Sequence, residues 1–197
     1  RAQSREAASS SATGTTRLMM PRSRAGGVNR ASLGVQSFDP NVQEAINRVQ
    51  SLEQTEAAVS GLRRAGISGI NFDLIYGLPH QTMASCLDTV MRCVELRPDR
   101  LSVFGYAHVP SFKKHQQKIR EEWLPDSLER HEQSSAIAED LRAAGYVQIG
   151  LDHFARKSDA MASKPINRNF QGYTTDAADT LIGFGASAIG KLPQGFV

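Results

Sequence analysis

The run INFDLIYGLP at residues 70–79 constrains this chain more than any other stretch. It is short, bulky and apolar, it carries Asp73 inside it, and helix-like segments lie on both sides. Such a run suits a strand in a parallel α/β sheet, where helices cover both faces and strands read as nearly continuous apolar segments. A carboxylate in that position needs a partner or a polar cavity, because desolvating an ionised acid is costly. Gly77, Leu78 and Pro79 then stop the strand and turn the chain. In α/β barrels, side chains near the C-terminal strand ends line the active site. Asp73 is therefore the first candidate for chemistry. An aspartate that caps the following loop is the competing reading, and pattern alone does not separate the two.

The flanking segments keep the same rhythm. Residues 30–36 read as a strand, and Asp39 with Pro40 forms an N-cap and first-turn pair for a short helix over 41–49. A second helix is predicted over 55–65, with Ala57, Ala58, Leu62 and Ala65 apolar and Gly66 as its stop. A third covers 82–96, with Leu87, Val90, Met91 and Val94 on one face and Pro98 beyond its end. Residues 100–106 form the next strand. Strand, helix, strand, helix, strand implies right-handed crossovers and a parallel sheet. Residues 108–124 are polar and basic and read as a solvated excursion. Asp126 or Ser127 opens a long helix to 144, which Gly145 closes, and 146–151 is a further strand. A polar, aromatic loop is predicted over 167–175. Small residues over 183–190 permit close backbone approach.

A formal net charge of +3 gives no case for nucleic acid, which needs a clustered basic face, and is compatible with an anionic small molecule. No apolar run approaches the ~20 residues of a membrane span. Cys86 and Cys93, seven apart on one helix, are too distant for a disulfide and read as buried thiols of a reducing compartment. Residues 1–26 are rich in Ser, Ala, Thr and Arg with Glu6 the single acid, and read as a disordered, non-native lead-in; an organelle transit peptide is the alternative. The chain as a whole reads as part of a longer protein. Asp152 and His153 are adjacent, but successive strand residues face opposite sides and could not act as one pair there. Gly183-x-Gly185 lacks the spacing of a dinucleotide loop. The cysteines match no metal-ligand spacing, so no metal ligand is assigned.

Six segments go further than pattern. GVNRASLGVQSF at 27–38, NFDLIYGLP at 71–79 and DRLSVFGYAHVP at 99–110 closely resemble the oxygen-independent coproporphyrinogen III oxidase (dehydrogenase) family. So do GLDHFAR at 150–156, NFQGYTT at 169–175 and GASAI at 185–189, in order over about 27–190. The first two types recur in the related haem-chaperone branch, whereas the Asp-His-Phe-Ala and Asn-Phe-Gln-Gly-Tyr segments resemble the dehydrogenase branch alone.

The resemblance implies a radical S-adenosylmethionine enzyme built on a partial (β/α)6 barrel with a helical C-terminal domain. This chain would cover roughly strands four to six, with 1–26 a lead-in, 27–151 the second half of the barrel, and 152–197 a post-barrel segment. It implies S-adenosylmethionine and a [4Fe–4S] cluster held by Cys-x-x-x-Cys-x-x-Cys, a motif that is absent here. Coproporphyrinogen III would be decarboxylated at two propionates to vinyl groups, giving protoporphyrinogen IX, with an external electron donor, in the cytoplasm, by an enzyme monomeric when complete. Gln36, Arg48, Asp73, Ala107 and Ile189 match family positions that contact S-adenosylmethionine. Gln36, Asp73 and Ala107 are expected at one sheet rim around a shared cavity that Arg48 reaches. The chain alone is expected to be inactive, and the strand edge before residue 30 to be open. A non-catalytic haem-chaperone-like or S-adenosylmethionine-binding relative is the alternative.

Overall fold

The computed structural model describes residues 6–7, 27–169, 172–185 and 188–196. Local signals set most of the element boundaries. After β1 (Glu6–Ala7) and β2 (Arg30–Gln36), α1 (Pro40–Ala45) opens as its sequence predicts. The Asp39 carboxylate accepts from the amides of Asn41 at 2.8 Å and Val42 at 3.3 Å, and Pro40 fills a first-turn place that needs no amide hydrogen. This helix stops short of residue 49, because Asn47 takes a φ of 53° and turns the chain away. The next helix, α2 (Leu52–Arg64), begins three residues before the predicted start. Ser51 and Gln54 form a reciprocal capping box that captures those turns, a device worth about 1 kcal/mol. Gly66, at φ 78°, ends it.

β3 (Gly69–Tyr76) leads through a turn to α3 (Met83–Glu95), capped by Thr82 and Ser85. Its buried face carries Cys86, Thr89, Val90 and Cys93, while Met91 is 55% exposed. The apolar stripe expected through Leu87, Val90, Met91 and Val94 is therefore rotated by about one residue, roughly 100°. Small thiols and a threonine, rather than the longer Met91, let the helix sit close to the sheet. Thr89 adds a reason of its own, since its hydroxyl accepts the buried amide of Phe38 at 3.1 Å.

β4 (Arg100–Gly105) follows, then the segment 106–126, then α4 (Ser127–Ala143), β5 (Tyr146–Ile149) and β6 (His153–Arg156). The sheet order is β1-β2-β3-β4-β6-β5. From β1 to β4 the strands are parallel, as helical crossovers require. After β4 an antiparallel strand enters the sheet. The turn over 150–152, opened by Gly150 at φ 62°, is too short for a crossover, so β6 runs back antiparallel to β5 and inserts beside β4. Residues 153–156 are thus a strand inside the sheet, and the boundary expected at 151/152 falls within the turn that feeds it.

Along β2, β3 and β4 successive side chains point to opposite faces. Leu33 and Val35, Ile70, Phe72 and Leu74, and Leu101 and Val103 are buried in one core with Val59 and Leu62 of α2, Val90 of α3 and Leu141 of α4. Losing a side chain such as Phe72, which is 0% exposed, would cost about 3–5 kcal/mol. The other face is polar, with Ser32 and Gly34, Asn71 and Asp73, and Ser102 in matching positions. The reading of the 70–79 run as apolar on both faces is corrected accordingly: half of its positions look onto this polar surface.

At the outer edge of β2, Glu6 and Ala7 pair with Arg30 and Ala31; the remainder of the expected lead-in over 1–26 lies outside the described residues. Beyond the sheet, β7 (Asn167–Asn169) and β8 (Gly172–Thr174) form a hairpin where a loop was expected. β9 (Lys191–Leu192) pairs with β10 (Gly195–Phe196). Residues 108–124 carry two 3-10 turns, Lys114–Lys118 and Glu121–Trp123. That excursion is pinned rather than loose: the buried Gln116 amide accepts from Val109 N–H at 2.6 Å and donates to the Ala107 carbonyl at 2.9 Å.

Candidate functional site

The polar face is built on three strands in register. Asp73 opposes Gly34 on β2 and Ser102 on β4. Ser32 Oγ donates to Asp73 Oδ2 at 2.9 Å, and Asn71 Nδ2 donates to Oδ1 at 2.8 Å. Asn71 also bridges outward, to Ser32 Oγ at 2.8 Å and from Ser102 Oγ at 3.3 Å. Burial pushes the Asp73 carboxyl above the ordinary carboxylate range; the hydrogen bonds from Ser32 and Asn71 pull it part of the way back.

The loop after β2 brings two more side chains to the same place. A bulge between Gly34 and Gln36, with Gln36 at φ 65°, lets the Gln36 side chain fold back over Gly34. The loop is fixed by Gln43, whose Nε2 donates to the carbonyls of Ser37 at 2.8 Å and Gln50 at 2.7 Å. That clamp aims Arg48. Its Nη2 donates to the Gly34 carbonyl at 2.9 Å, while its Nε is buried without a hydrogen-bond partner. A Cβ on Gly34 would lie 2.8 Å from Gln36 Nε2 and 2.9 Å from Arg48 Nη2, so the two side chains meet in the space that glycine leaves. Their meeting point is next to Asp73 across the β2–β3 pair.

The structure thus brings Gln36, Arg48 and Asp73 together. Ala107 follows β4 at the same end of the sheet, exposed, with its carbonyl engaged by Gln116. Ile189 lies in the C-terminal segment with its backbone against Gly183, where a Cβ would stand 3.0 Å from Ile189 C. Phe170 and Gln171 of the NFQGYTT segment, and Ala186 and Ser187 of GASAI, lie outside the described residues.

One expectation is overturned. Asp152 and His153 form a pair, with His153 Nδ1 2.6 Å from Asp152 Oδ1. Asp152 belongs to the turn before β6, where the alternation of strand side chains does not apply. Sequence reasoning also missed Ser32, Asn71 and Ser102. The available signal was their two-residue spacing from Gly34, Asp73 and Phe104, which places a polar row in phase on three strands.

At the opposite strand ends, Arg100 grips Asp159 through two bonds of 3.0 and 2.7 Å, with Arg30 4.0 Å away. Burial alone would raise the Asp159 carboxyl; the Arg100 bonds, the Met161 amide and the two guanidinium charges outweigh it and hold the group below its usual range. A cavity of about 340 Å³ opens beside this pair. This end positions strands and contains none of the predicted site residues.

Two cofactors can be tested against these groups. A zwitterionic, hydroxyl-bearing ligand such as S-adenosylmethionine fits the donor set: Arg48 has an unsatisfied buried N–H, Gln36 can donate and accept, and Asp73 is an acceptor. A [4Fe–4S] cluster does not fit. It needs several thiolates, and Cys86 and Cys93 point into the core from α3, Cys86 with its thiol pushed up to about 12 and Cys93 higher still. Among the described residues no group of three His, Cys, Asp or Glu could hold a metal.

The model of the radical SAM superfamily matches residues 7–93. Oxygen-independent coproporphyrinogen III oxidase from Bradyrhizobium diazoefficiens is 68% identical over 183 residues, 91% of this chain and 41% of that protein. The enzyme of the same description from Cereibacter sphaeroides is 49% identical over 175 residues, 87% of this chain and 39% of its own length. The chain spans about two fifths of the length of these curated relatives. The solved structure of coproporphyrinogen III oxidase (HemN) from Escherichia coli, titled as a radical SAM enzyme, superposes with a TM-score of 0.85 at 40% identity, over 95% of this chain and 43% of that one. Elp3 from Methanocaldococcus infernus, at 20% identity and a TM-score of 0.51 over 60% of this chain and 28% of its own, shares the fold alone. Over 91% of its length the chain is thus similar to the oxygen-independent coproporphyrinogen III oxidases, and over residues 7–93 to the radical SAM superfamily.

Proposed function

We propose that this chain supplies the S-adenosylmethionine-binding strand ends of an enzyme that oxidatively decarboxylates coproporphyrinogen III. The observation that carries this is the convergence of Gln36, Arg48 and Asp73 over Gly34, at one end of three parallel strands. In this reading β2 to β4 correspond to the second half of a partial barrel. Arg48 pairs with the methionine carboxylate through its buried Nε–H. Asp73 accepts from the amino group or the ribose hydroxyls, with Ser32 and Asn71 holding its oxygens in place. Gln36 supplies a neutral donor and acceptor. Ala107, just past β4, offers backbone and apolar surface, and Ile189 reaches the same ligand from the terminal segment.

Held by Arg48, Asp73 and Gln36, S-adenosylmethionine would supply the hydrogen-abstracting chemistry for oxidative decarboxylation of a propionate side chain, with an electron acceptor outside this chain taking up the electron released with carbon dioxide. This chain's residues orient the cofactor and exclude water from the polar face. The cluster thiolates and the electron donor come from outside it, so the isolated chain is inactive, and the complete enzyme works in the cytoplasm as a monomer.

A chimera tests this. The matching segment of the Bradyrhizobium diazoefficiens enzyme is replaced by residues 27–190 of this chain, and anaerobic turnover of coproporphyrinogen III is followed by chromatography. The expected product has lost two carboxyl groups. A folded chimera with its cluster in place that binds S-adenosylmethionine without turnover would instead place this chain with a non-catalytic relative.

A further inference from the structure

The Asp152–His153 pair takes no part in the cofactor contacts above. With Nδ1 held 2.6 Å from a carboxylate oxygen, the ring keeps its proton on that nitrogen, and Nε2 is the atom left for other work. His153 opposes Ser102 in register, so the imidazole lies on the same polar face as Asn71 and Asp73. Phe104 and Tyr173 stand edge-on to it, with ring centroids at 5.8 and 5.1 Å, and fix its plane. The side chain is 11% exposed, and no hydrogen-bond partner reaches Nε2 among the described residues. Gly172 lies against that nitrogen and, having no side chain, leaves it clear of one. A Cβ there would lie 3.1 Å from Nε2, and the φ of 127° would strain any other residue.

The face also limits what can meet an anionic ligand. Arg100 is committed to Asp159 through two bonds, Arg30 approaches the same carboxylate, and Arg48 donates to the Gly34 carbonyl beside the cofactor positions. A polycarboxylate brought onto a surface that already carries Asp73 needs a cation, and His153 can become one while Asp152 balances its charge. The charged groups around the ring are Asp152 beside it, Asp73 across the sheet, and Arg168 over Tyr173 at 5.5 Å.

We propose that His153 is the residue that binds a carboxylate of the tetrapyrrole: Asp152 holds Nδ1–H, Nε2 takes a proton from solvent, and the imidazolium pairs with a propionate side chain of the substrate. This deepens the coproporphyrinogen reading and rests on it. Coproporphyrin III, the oxidised tetracarboxylic macrocycle, is the probe, and its tetramethyl ester is the control. In nitrogen-15 spectra of the whole chain, the His153 Nε2 resonance is expected to move from the bare to the protonated range on adding the acid, and to stay put with the ester. His153→Gln, which keeps hydrogen bonding without charge, is expected to weaken coproporphyrin III binding by about tenfold or more. Arg48 and Asp73 are untouched, so S-adenosylmethionine affinity should hold. If coproporphyrin III binds while Nε2 does not move, or binds His153→Gln as tightly as the parent, His153 merely seats the β7–β8 hairpin; the assignment is then overturned and the substrate reading survives. If neither porphyrin binds the parent chain, the assignment fails and the substrate reading loses its support here with it.

Discussion

Replacing Asp73 by Asn separates a binding role from a structural one, and the structure gives the sign of each. The side chain keeps its shape, so no cavity opens. Oδ1 can still accept from Asn71 Nδ2, at 2.8 Å in the parent. The new amide nitrogen takes the place of Oδ2, where Ser32 Oγ now donates at 2.9 Å. A hydroxyl can rotate, and Ser32 Oγ can accept from the new amide instead. The lost bond is therefore replaced, and relief from burying a carboxyl whose ionisation is disfavoured works the other way. The net change in stability should stay within about 1 kcal/mol, or a few degrees in Tm for a chain of this size. Cofactor binding has no such compensation, because the amide carries no charge. Loss of one charge-assisted hydrogen bond is worth roughly 1.5–3 kcal/mol, about ten- to a hundredfold in affinity. Thermal unfolding of the chain and calorimetry of S-adenosylmethionine on the chimera measure the two effects. A large drop in Tm with parental cofactor affinity would refute the reasoning and return Asp73 to the role of a structural acid.

Gly34→Ala should behave in the same way for a different reason. The added methyl meets only the flexible ends of Gln36 and Arg48, at 2.8 and 2.9 Å, so folding should change by about 1 kcal/mol or less while the Arg48 bond to the Gly34 carbonyl breaks and S-adenosylmethionine affinity falls. A Tm that collapses with the cofactor still bound would count against the site. Asp159→Asn tests the other strand ends: removing the partner of the buried Arg100 should cost about 3–5 kcal/mol in thermal unfolding near neutral pH. Because the folded Asp159 carboxyl sits below the ordinary 3.8, its contribution is present above that pH and lost as pH falls through the lower folded value, so the parent should lose more stability than the variant on acidification. Parallel acid profiles would refute it.

The elements that were legible carry strong local chemistry. β2 could be read to the residue, and the Asp39–Pro40 start of α1 and the Gly66 and Gly145 stops are where single residues predict them. Capping accounts for the early start of α2, which periodicity cannot see because Ser51 and Gln54 are not apolar. The stripe of α3 was misplaced because its buried positions are a threonine and two cysteines, which hydropathy ranks less clearly than Met91 or Leu87. β6 was hidden by its brevity, and by a sheet order in which it inserts between β4 and β5. Order of that kind is set by which edges are left to pair, a tertiary matter that four residues cannot announce.

The site was legible as a set of residues and not as a geometry. Asp73 stood out because an acid in an apolar run is expensive, but its partners Ser32, Asn71 and Ser102 are ordinary residues until three strands align them. Arg48 was named by the resemblance alone; what the structure adds is the Gln43 clamp, which fixes the loop, and an Nε buried without a hydrogen-bond partner. The cysteines show the converse. Thiols draw attention as possible ligands, yet Cys86 and Cys93 are two helical turns apart, about 10.5 Å along the axis, and both face the core. Burial that pushes the Cys86 thiol up to about 12 keeps it protonated, and a metal needs thiolate. Within this chain the chemistry-bearing surface is therefore the polar face of the sheet, and what that face can offer is hydrogen bonding and charge: Arg48 and Asp73 for a zwitterion, His153 for a carboxylate. Under the proposed function, the cluster of a radical SAM reaction would be ligated by thiolates outside this chain, and these strands would hold the reacting molecules where it can reach them.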